Sequence, residues 1–177
     1  MDIHFIDDKT QYAMISVDAT APEGICFNGL YLHRAKLMGL ILNRASFVSC
    51  DLRMSVMEDM EATGADFTSA SLIGVEARRA KLCNALFRKS RLLHTHFELA
   101  DLSGADLSGA EICETHFEGC DLRGTTMLAD NLDSAYFTGA RFDKHSVWPE
   151  GFHPLEYGAI LVEDEKHLAP VEDSNVR

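Results

Sequence analysis

The sequence repeats with a period of five from Phe27 to Phe142. Every fifth residue of this stretch is large and apolar at all but two of the 24 positions. The residue two places earlier is small in 19 of 24 cases, and ten of the twelve glycines keep the same register. A period of five matches neither the 3.6-residue turn of an α-helix nor the two-residue alternation of a strand. The chain must therefore change direction once in every period.

The phenylalanines indicate how many five-residue sides make one coil. Two series recur at every twentieth position: Phe27, Phe47, Phe67 and Phe87, and then Phe97, Phe117 and Phe137. This spacing makes four sides of five, so like side chains stack from coil to coil at the strand spacing. We predict that the large and the small residues point inward, with both phenylalanine series forming core ladders. The glycine-rich position then serves the corner. Because Arg34 and Ser69 also occupy corners, the pattern suggests that a positive φ is not required everywhere.

The clearest run of the repeat is Ala-Asp-Leu-Ser-Gly-Ala-Asp-Leu-Ser-Gly-Ala, at 100–110. This pattern resembles the pentapeptide-repeat family, and the resemblance covers Ile25 to Phe142. It implies an all-β fold, a right-handed quadrilateral parallel β-helix of about six coils with terminal caps. The expected domains are an N-terminal cap at 1–24, the β-helix at 25–144, a C-terminal cap at 145–162 and a mobile polar tail at 163–177.

An open β-helix exposes apolar surface and unpaired strand edges, so both ends need covers. At the C-terminus, Trp148-Pro-Glu-Gly-Phe152 resembles the closure of many bacterial members of the family, notably cyanobacterial ones. We predict a loop and a short helical turn from Pro154 over the last coil. The apolar residues expected in this cap are Trp148, Phe152, Leu155, Tyr157 and Ile160. At the N-terminus, the apolar residues between Ile3 and Val17 predict a cap strand or hairpin.

Asp130 is the one charged residue at a small inward position. A buried carboxylate without a partner is costly. Two explanations remain open: the Asp130 carboxylate is hydrogen-bonded, or the segment from Ala129 to Leu132 bulges. We interpret Asp130 as a structural irregularity of the last coil, although a functional role stays an alternative.

Catalysis needs groups that converge in a pocket, and a continuous solenoid offers flat sides instead. The sequence therefore predicts no enzyme, no cofactor and no catalytic residue. His96 and His116 occupy the same position of successive coils and would stack, but the stacked positions 76 and 136 hold Glu and Tyr. A third metal ligand is thus not evident, and no metal site is predicted. Cys50 and Cys120 occupy inward positions. The other three cysteines, Cys26, Cys83 and Cys113, are outward.

The formal net charge of −12 disfavours direct nucleic-acid binding, which needs a basic surface. Stacking of the coils predicts alternating acidic and basic layers in the lower part, where Glu58 and Glu61 lie beneath Arg78 and Lys81. Higher up, four acids form a cluster that we call the acidic patch: Glu98, Asp101, Glu118 and Asp121. The acidic patch is either a solvated surface or an interaction surface.

Two functions follow from these features. The first is a non-enzymatic scaffold that binds an unidentified protein partner. The second is implied by the resemblance: some members of the family imitate DNA with an acidic rod and bind a type II topoisomerase, gyrase, which they modulate or protect. No apolar window long enough to span a membrane and no secretory signal stretch are found, so we expect a cytoplasmic protein without membrane contact. We expect a monomer, with dimerisation through the C-terminal end as the alternative.

Overall fold

The computed structural model describes residues 2–5, 13–16 and 24–163. Strand β1, Asp2–Phe5, pairs antiparallel with β2, Ala13–Ser16, so that the N-terminal segment contains a hairpin. The cap predicted from the other N-terminal residues lies outside the described part of the chain. Near the C-terminus, β3, Arg141–Phe142, pairs parallel with β4, Ile160–Leu161. Among the described residues, no helix has the length and apolar character needed to cross a bilayer.

Parallel β-bridges join each coil of the repeat to the next, beginning with Cys26 and Ser46. Two backbone hydrogen bonds flank this bridge: Phe27 N donates to Ser46 O over 2.7 Å, and Ser46 N donates to Ile25 O over 2.8 Å. A turn closes each five-residue side, since Leu30 N donates to Phe27 O over 3.1 Å and the same bond recurs at later corners. The repeat is therefore a β-helical solenoid with four five-residue sides per coil.

The corners adopt a positive φ throughout residues 29–124, and the expectation that some would avoid it is wrong. All twenty corners in this range are left-handed, and twelve of them lack glycine, with φ between 48° and 63°. The hydrogen bond from the fourth turn residue to the first, together with a positive φ at the third, is typical of a type II turn. The coil-to-coil hydrogen bonds on either side of a corner impose this geometry. Residues with a Cβ, such as Arg34 and Leu99, therefore adopt the strained left-handed conformation.

The phenylalanines form two stacks inside the solenoid. The rings of the first series follow one another at centroid distances of 4.8, 4.9 and 5.0 Å, and those of the second at 5.6 and 5.2 Å. All seven are at most 2% exposed. Where Ala62 and Ala77 leave the large position undersized, Met60 and Val75 are fully buried beside them. Such exchanges keep the volume of the core nearly constant.

Polar residues at the small inward position bond to the coil below, except Ser90, whose Oγ donates to Phe87 O of its own coil over 2.7 Å. Thr95 Oγ1 donates to Leu72 O over 2.8 Å, and Ser55 Oγ donates to Leu32 O over 2.9 Å. Cys120 Sγ donates to Phe97 O over 2.8 Å in the same way. Each of these three acceptors is the carbonyl of a large inward residue in the preceding coil. A hydroxyl is therefore compatible with this core because its hydrogen-bond partner is built into the neighbouring coil.

Asp130 is exposed, so the bulge is the correct explanation of this position. Ala129 is buried instead, and Asp130 bridges Glu111, one position short of the regular bridge spacing. The 3₁₀-helix Leu132–Ser134 follows, and the regular spacing has returned at the bridge between His116 and Tyr136. The chain thus keeps the carboxylate in water by turning the neighbouring alanine inward.

The C-terminal segment packs aromatic rings against Phe137. The rings of Trp148, Phe152 and Tyr157 contact Phe137 edge to face at 5.6, 5.7 and 6.4 Å. Tyr157 belongs to the 3₁₀-helix Pro154–Tyr157, which begins at the predicted proline. Leu155 and Ile160 do not join this packing, because their side chains are 60% and 53% exposed. The 3₁₀ turn directs Leu155 outward, and Ile160 lies on the short strand β4 with its side chain in solvent.

Candidate functional site

The residues of the acidic patch lie on two adjacent coils, next to the paired histidines. His96 bridges His116 and Asp101 bridges Asp121. Glu98 and Glu118 lie two residues after the histidines, and both of them have partly buried side chains. The four predicted carboxylates therefore lie on two adjacent coils, on either side of the corners at Leu99 and Gly119, and the two imidazoles lie beside the glutamates.

The two imidazoles form part of an outward stack. The rings of His96 and His116 lie 4.5 Å apart with an angle of 8° between their planes. Tyr136 continues the stack at 4.6 Å from His116. The regular coil fixes these distances, because the backbones that carry the rings are hydrogen-bonded at strand spacing; His116 N donates to Thr95 O over 2.9 Å.

Each histidine contacts a glutamate of its own coil. His96 Nδ1 lies 2.9 Å from Glu98 Oε1, and His116 Nδ1 lies 3.0 Å from Glu118 Oε1. The second carboxylate oxygen of both glutamates is buried and has no hydrogen-bond partner among the described residues. Buried carboxylate oxygens without a hydrogen-bond partner are uncommon in native proteins, because no hydrogen bond offsets the free energy of removing them from water. The surface therefore contains two acceptors that a cation or a donor group would satisfy.

Arg78 occupies the coil below and supplies a positive charge beside Glu98 and His96. Its guanidinium pairs with Glu76 and lies 3.4 Å from Glu58 and 3.5 Å from Glu98. Its Nη2 also lies 3.0 Å from His96 Nδ1. Burial disfavours the charged form of Glu98, but hydrogen bonding by His96 and the nearby charges outweigh it, so the pKa of Glu98 is lowered.

Asp101 and Asp121, the other two members of the acidic patch, have local partners as well. Asp101 Oδ1 accepts hydrogen bonds from Ser103 N and Ser103 Oγ over 2.9 and 2.6 Å. Asp121 pairs with Arg123, whose hydrogen bond is the largest cause of the lowered pKa of Asp121. The acidic patch is consequently less negative than four free carboxylates would be.

Alternating charges connect the coils elsewhere on the surface, as the sequence predicts for the lower coils. Lys81 Nζ lies 2.6 Å from Glu61 one coil below. At one corner, Arg79 forms two 2.8 Å hydrogen bonds with Asp59. These groups are largely exposed, so solvent screens the pairs and they contribute little to stability. The pairs align neighbouring coils and provide no convergent chemistry.

Sequence reasoning missed the role of Glu98 beside the histidines. It sought a third metal ligand at positions 76 and 136, directly below and above the histidine pair. The residue two places along an extended chain lies on the same face, and that spacing was the available signal. His96, Glu98 and His116 each offer a ligand atom, and these atoms lie within 4.8 Å of one another.

The other groups of chemical interest include two inward cysteines and one open depression. Cys50 and Cys120 are buried, and burial raises the pKa of the Cys50 thiol to about 11. An open depression of about 380 Å³ lies beside the bulge. It is lined by the 3₁₀-helix Leu132–Ser134 and by the loop that carries Phe152. Its Asp133 carboxylate accepts a hydrogen bond from Tyr157.

Comparison with known proteins places the repeat in a family. The family model described as "Pentapeptide repeats" matches residues 58–88, 80–119, 90–128 and 105–144, with eight copies. No curated protein matches the sequence significantly.

Solved structures similar to this chain include two pentapeptide-repeat proteins from cyanobacteria and one fluoroquinolone resistance protein. HetL, a pentapeptide repeat protein involved in heterocyst differentiation regulation from the cyanobacterium Nostoc sp. strain PCC 7120, is 16% identical over 78% of this chain and 84% of its own, with a TM-score of 0.38. Rfr23 from the cyanobacterium Cyanothece 51142 is 18% identical over 72% and 86%, with a TM-score of 0.34. Full-length QnrB1, a plasmid-mediated fluoroquinolone resistance protein, is 17% identical over 79% and 92%, with a TM-score of 0.30.

Proposed function

Because this chain belongs to the pentapeptide-repeat family, we propose that it is a non-enzymatic scaffold that binds a protein partner through one face of its β-helix. The observation that carries the proposal is the outer surface of the solenoid. Bridged residues of successive coils present their side chains in regular rows, and the charged groups of these rows are held by neighbours. A surface of this kind offers many small contacts over a wide area, which is how solenoid proteins bind their partners.

We place the contact surface at the acidic patch, with a partner that carries a complementary basic surface. Glu98 and Asp121 are already ionised and fixed by Arg78 and Arg123, so they need little further ordering on binding. Charge complementarity of this type raises the association rate and is weakened by salt. Arg78 and Arg123 partly neutralise the carboxylates of the patch. Attraction therefore requires a partner whose basic groups match the positions of these carboxylates, and a polycation without that arrangement would bind weakly.

Affinity capture from the native cell lysate tests the proposal. The immobilised protein is compared with a variant in which all four acids of the patch are changed to amides. A matched control changes four outward acids elsewhere to amides: Asp51, Asp66, Glu111 and Glu114. We expect a partner that the wild type and the control retain, that the patch variant loses, and that high salt releases. A partner retained equally by all three proteins would place the contact elsewhere.

A DNA mimic that binds gyrase is the second candidate, and it rests on the same acidic patch. Such a mimic would have to present its carboxylates to a basic DNA-binding groove. Arg78 contacts Glu98, and Arg123 pairs with Asp121, so cations already lie where the mimic would need uninterrupted negative charge. We therefore expect purified protein to leave DNA supercoiling by gyrase unchanged, with or without a quinolone. A dose-dependent change that the patch variant lacks would replace the scaffold proposal with the mimic.

A further inference from the structure

We propose that His96, Glu98 and His116 form a binding site for a divalent first-row transition ion, of which Zn²⁺ suits the donor set best. The three residues lie on two adjacent coils, and their ligand atoms are within 4.8 Å of one another. Imidazole nitrogen and carboxylate oxygen are both ordinary ligands of Zn²⁺. The site goes beyond the scaffold function, because it requires neither a partner nor the aspartates of the acidic patch.

The positions of the three ligands require only a small closure. Bonds of about 2.0–2.2 Å to a tetrahedral ion hold ligand atoms roughly 3.3–3.6 Å apart, so the side chains must approach by about 1 Å. The imidazoles and Glu98 are 23–28% exposed, and the closure requires Glu98 to give up its contact with Arg78. The backbone beneath them is fixed, because the coils of His96 and His116 are joined by ladder hydrogen bonds on both sides. The rigid ladder preorganises the ligands, and rotamer changes complete the geometry.

The unsatisfied carboxylate oxygens are the independent observation. Glu98 Oε2 and Glu118 Oε2 are both buried at this surface without a hydrogen-bond partner among the described residues. A bound cation would offset the desolvation cost of such oxygens. Glu118 lies beside the cluster, with Oε1 3.0 Å from His116 Nδ1, so a fourth ligand, a second carboxylate oxygen, is available. Two histidines and two glutamates then surround the ion.

Arg78 is the natural competitor of the ion. Its guanidinium contacts Glu98 at 3.5 Å and His96 at 3.0 Å, on the side of the coil below. The positive charge of Arg78 repels a metal cation. Its N–H groups also compete with the ion for the lone pairs of Glu98 and His96. Replacing Arg78 by Gln should therefore increase the affinity for Zn²⁺, which a merely structural role of the histidines would not predict.

An ion at this site would connect two coils and stabilise the folded chain. A ligand that binds only the native state raises stability with its free concentration. Added Zn²⁺ should consequently raise the Tm of the wild type, and the increase should depend on the histidines. Mg²⁺ should have no comparable effect, because it prefers oxygen ligands in a strict octahedron.

Metal titration of the untagged full-length chain, first freed of metal with a chelator, tests the site. Calorimetry with Zn²⁺ and the visible absorption of bound Co²⁺ give affinity and coordination. The variants are His96→Ala, His116→Ala, Glu98→Gln and Arg78→Gln. His94→Ala is the matched control, since His94 Nδ1 also faces a glutamate, Glu114, at 3.4 Å. Circular dichroism and the metal-free Tm verify that each variant remains folded.

We expect one Zn²⁺ per chain for the wild type. Each ligand variant should lose at least the roughly 10–100-fold in affinity that the loss of an outer partner of a metal ligand costs. The Arg78 variant should bind more tightly, and the His94 control should match the wild type. Absence of micromolar binding would overturn the proposal. Binding that survives equally in all three ligand variants would also overturn it, because the ion would then be held elsewhere.

Discussion

Phe87 and Phe97 meet edge to face across the core, with ring centroids 5.7 Å apart and planes inclined at 75°. Phe87 ends the first phenylalanine stack and Phe97 begins the second. The two residues are separated by half a coil, which places them on opposite sides of the four-sided solenoid. The two stacks are therefore joined by this contact through the centre of the solenoid. Such edge-to-face pairs contribute about 0.5–1.5 kcal/mol beyond the apolar area they bury.

Replacing Phe67 by Ala should lower the free energy of unfolding by about 3–5 kcal/mol, the usual range for a core phenylalanine. Phe67 is fully buried between Phe47 and Phe87, so the cavity would interrupt the stack. The control is Ser69→Ala at a neighbouring corner, which should change the value by less than about 0.5 kcal/mol. Urea unfolding measures both variants. Equal effects would contradict the inward position of the stack.

Replacing Gly29 by Ala should destabilise the protein by about 1 kcal/mol, because φ is 68° and left-handed backbone is costly for any residue with a Cβ. An added Cβ meets no atom within 4 Å, so only the backbone conformation is tested. Arg34→Gly at the next corner should have the opposite sign, since it removes the same strain at φ 57°. Thermal unfolding compares the two variants, and a loss of stability in both would contradict the explanation.

Replacing Asp143 by Asn should cost about 1–2 kcal/mol at neutral pH. Burial disfavours the charged form, but hydrogen bonds donated by Gly124 N, His145 N and Ser146 lower the pKa of Asp143 below its ordinary 3.8. The carboxylate therefore stabilises the fold above the unfolded pKa, and this stabilisation is lost as pH falls through the folded pKa. Urea unfolding should show the difference between wild type and variant shrinking as the pH falls below 3.8. A difference independent of pH would mean that the charge is unimportant.

Deleting residues 146–177 should cause aggregation or end-to-end association. The deletion removes Trp148, Phe152 and Tyr157 from the face of Phe137, which would then meet water. The double variant Trp148→Ala, Phe152→Ala should have the same effect to a smaller extent, and Leu155→Ala, at an exposed position, should have none. Light scattering measures the association. A truncated protein that stays monomeric and melts unchanged would show that the segment is not a cap.

The sequence was sufficient for the coil and the core. Every fifth residue must be buried, and the recurrence of phenylalanine at every twentieth position is consistent with only one number of sides per coil. Packing then follows from volume, as Met60 beside Ala62 illustrates. The left-handed corner at Arg34 was predicted incorrectly, because residue type is a weak guide to φ where flanking hydrogen bonds impose the turn.

The candidate site was only half accessible from the sequence. The periodicity alone predicts that His96 stacks on His116 and that four acids share one surface. It does not predict that Glu98 contacts the imidazole, that its second oxygen remains without a partner, or that Arg78 reaches the same group. Asp130 is a similar case, since the sequence left two explanations and the backbone decided for the bulge.

The physical reason for this division is the difference between backbone and side-chain freedom. A strict period of five forces every coil to repeat the one below it, so the fold is determined by spacing and burial summed over many equivalent positions. Individual contacts at the surface depend on the rotamers of long side chains and on single-residue shifts of the ladder. Those are decided by local competition among neighbouring charges and hydrogen bonds, which exists only once the coils are stacked.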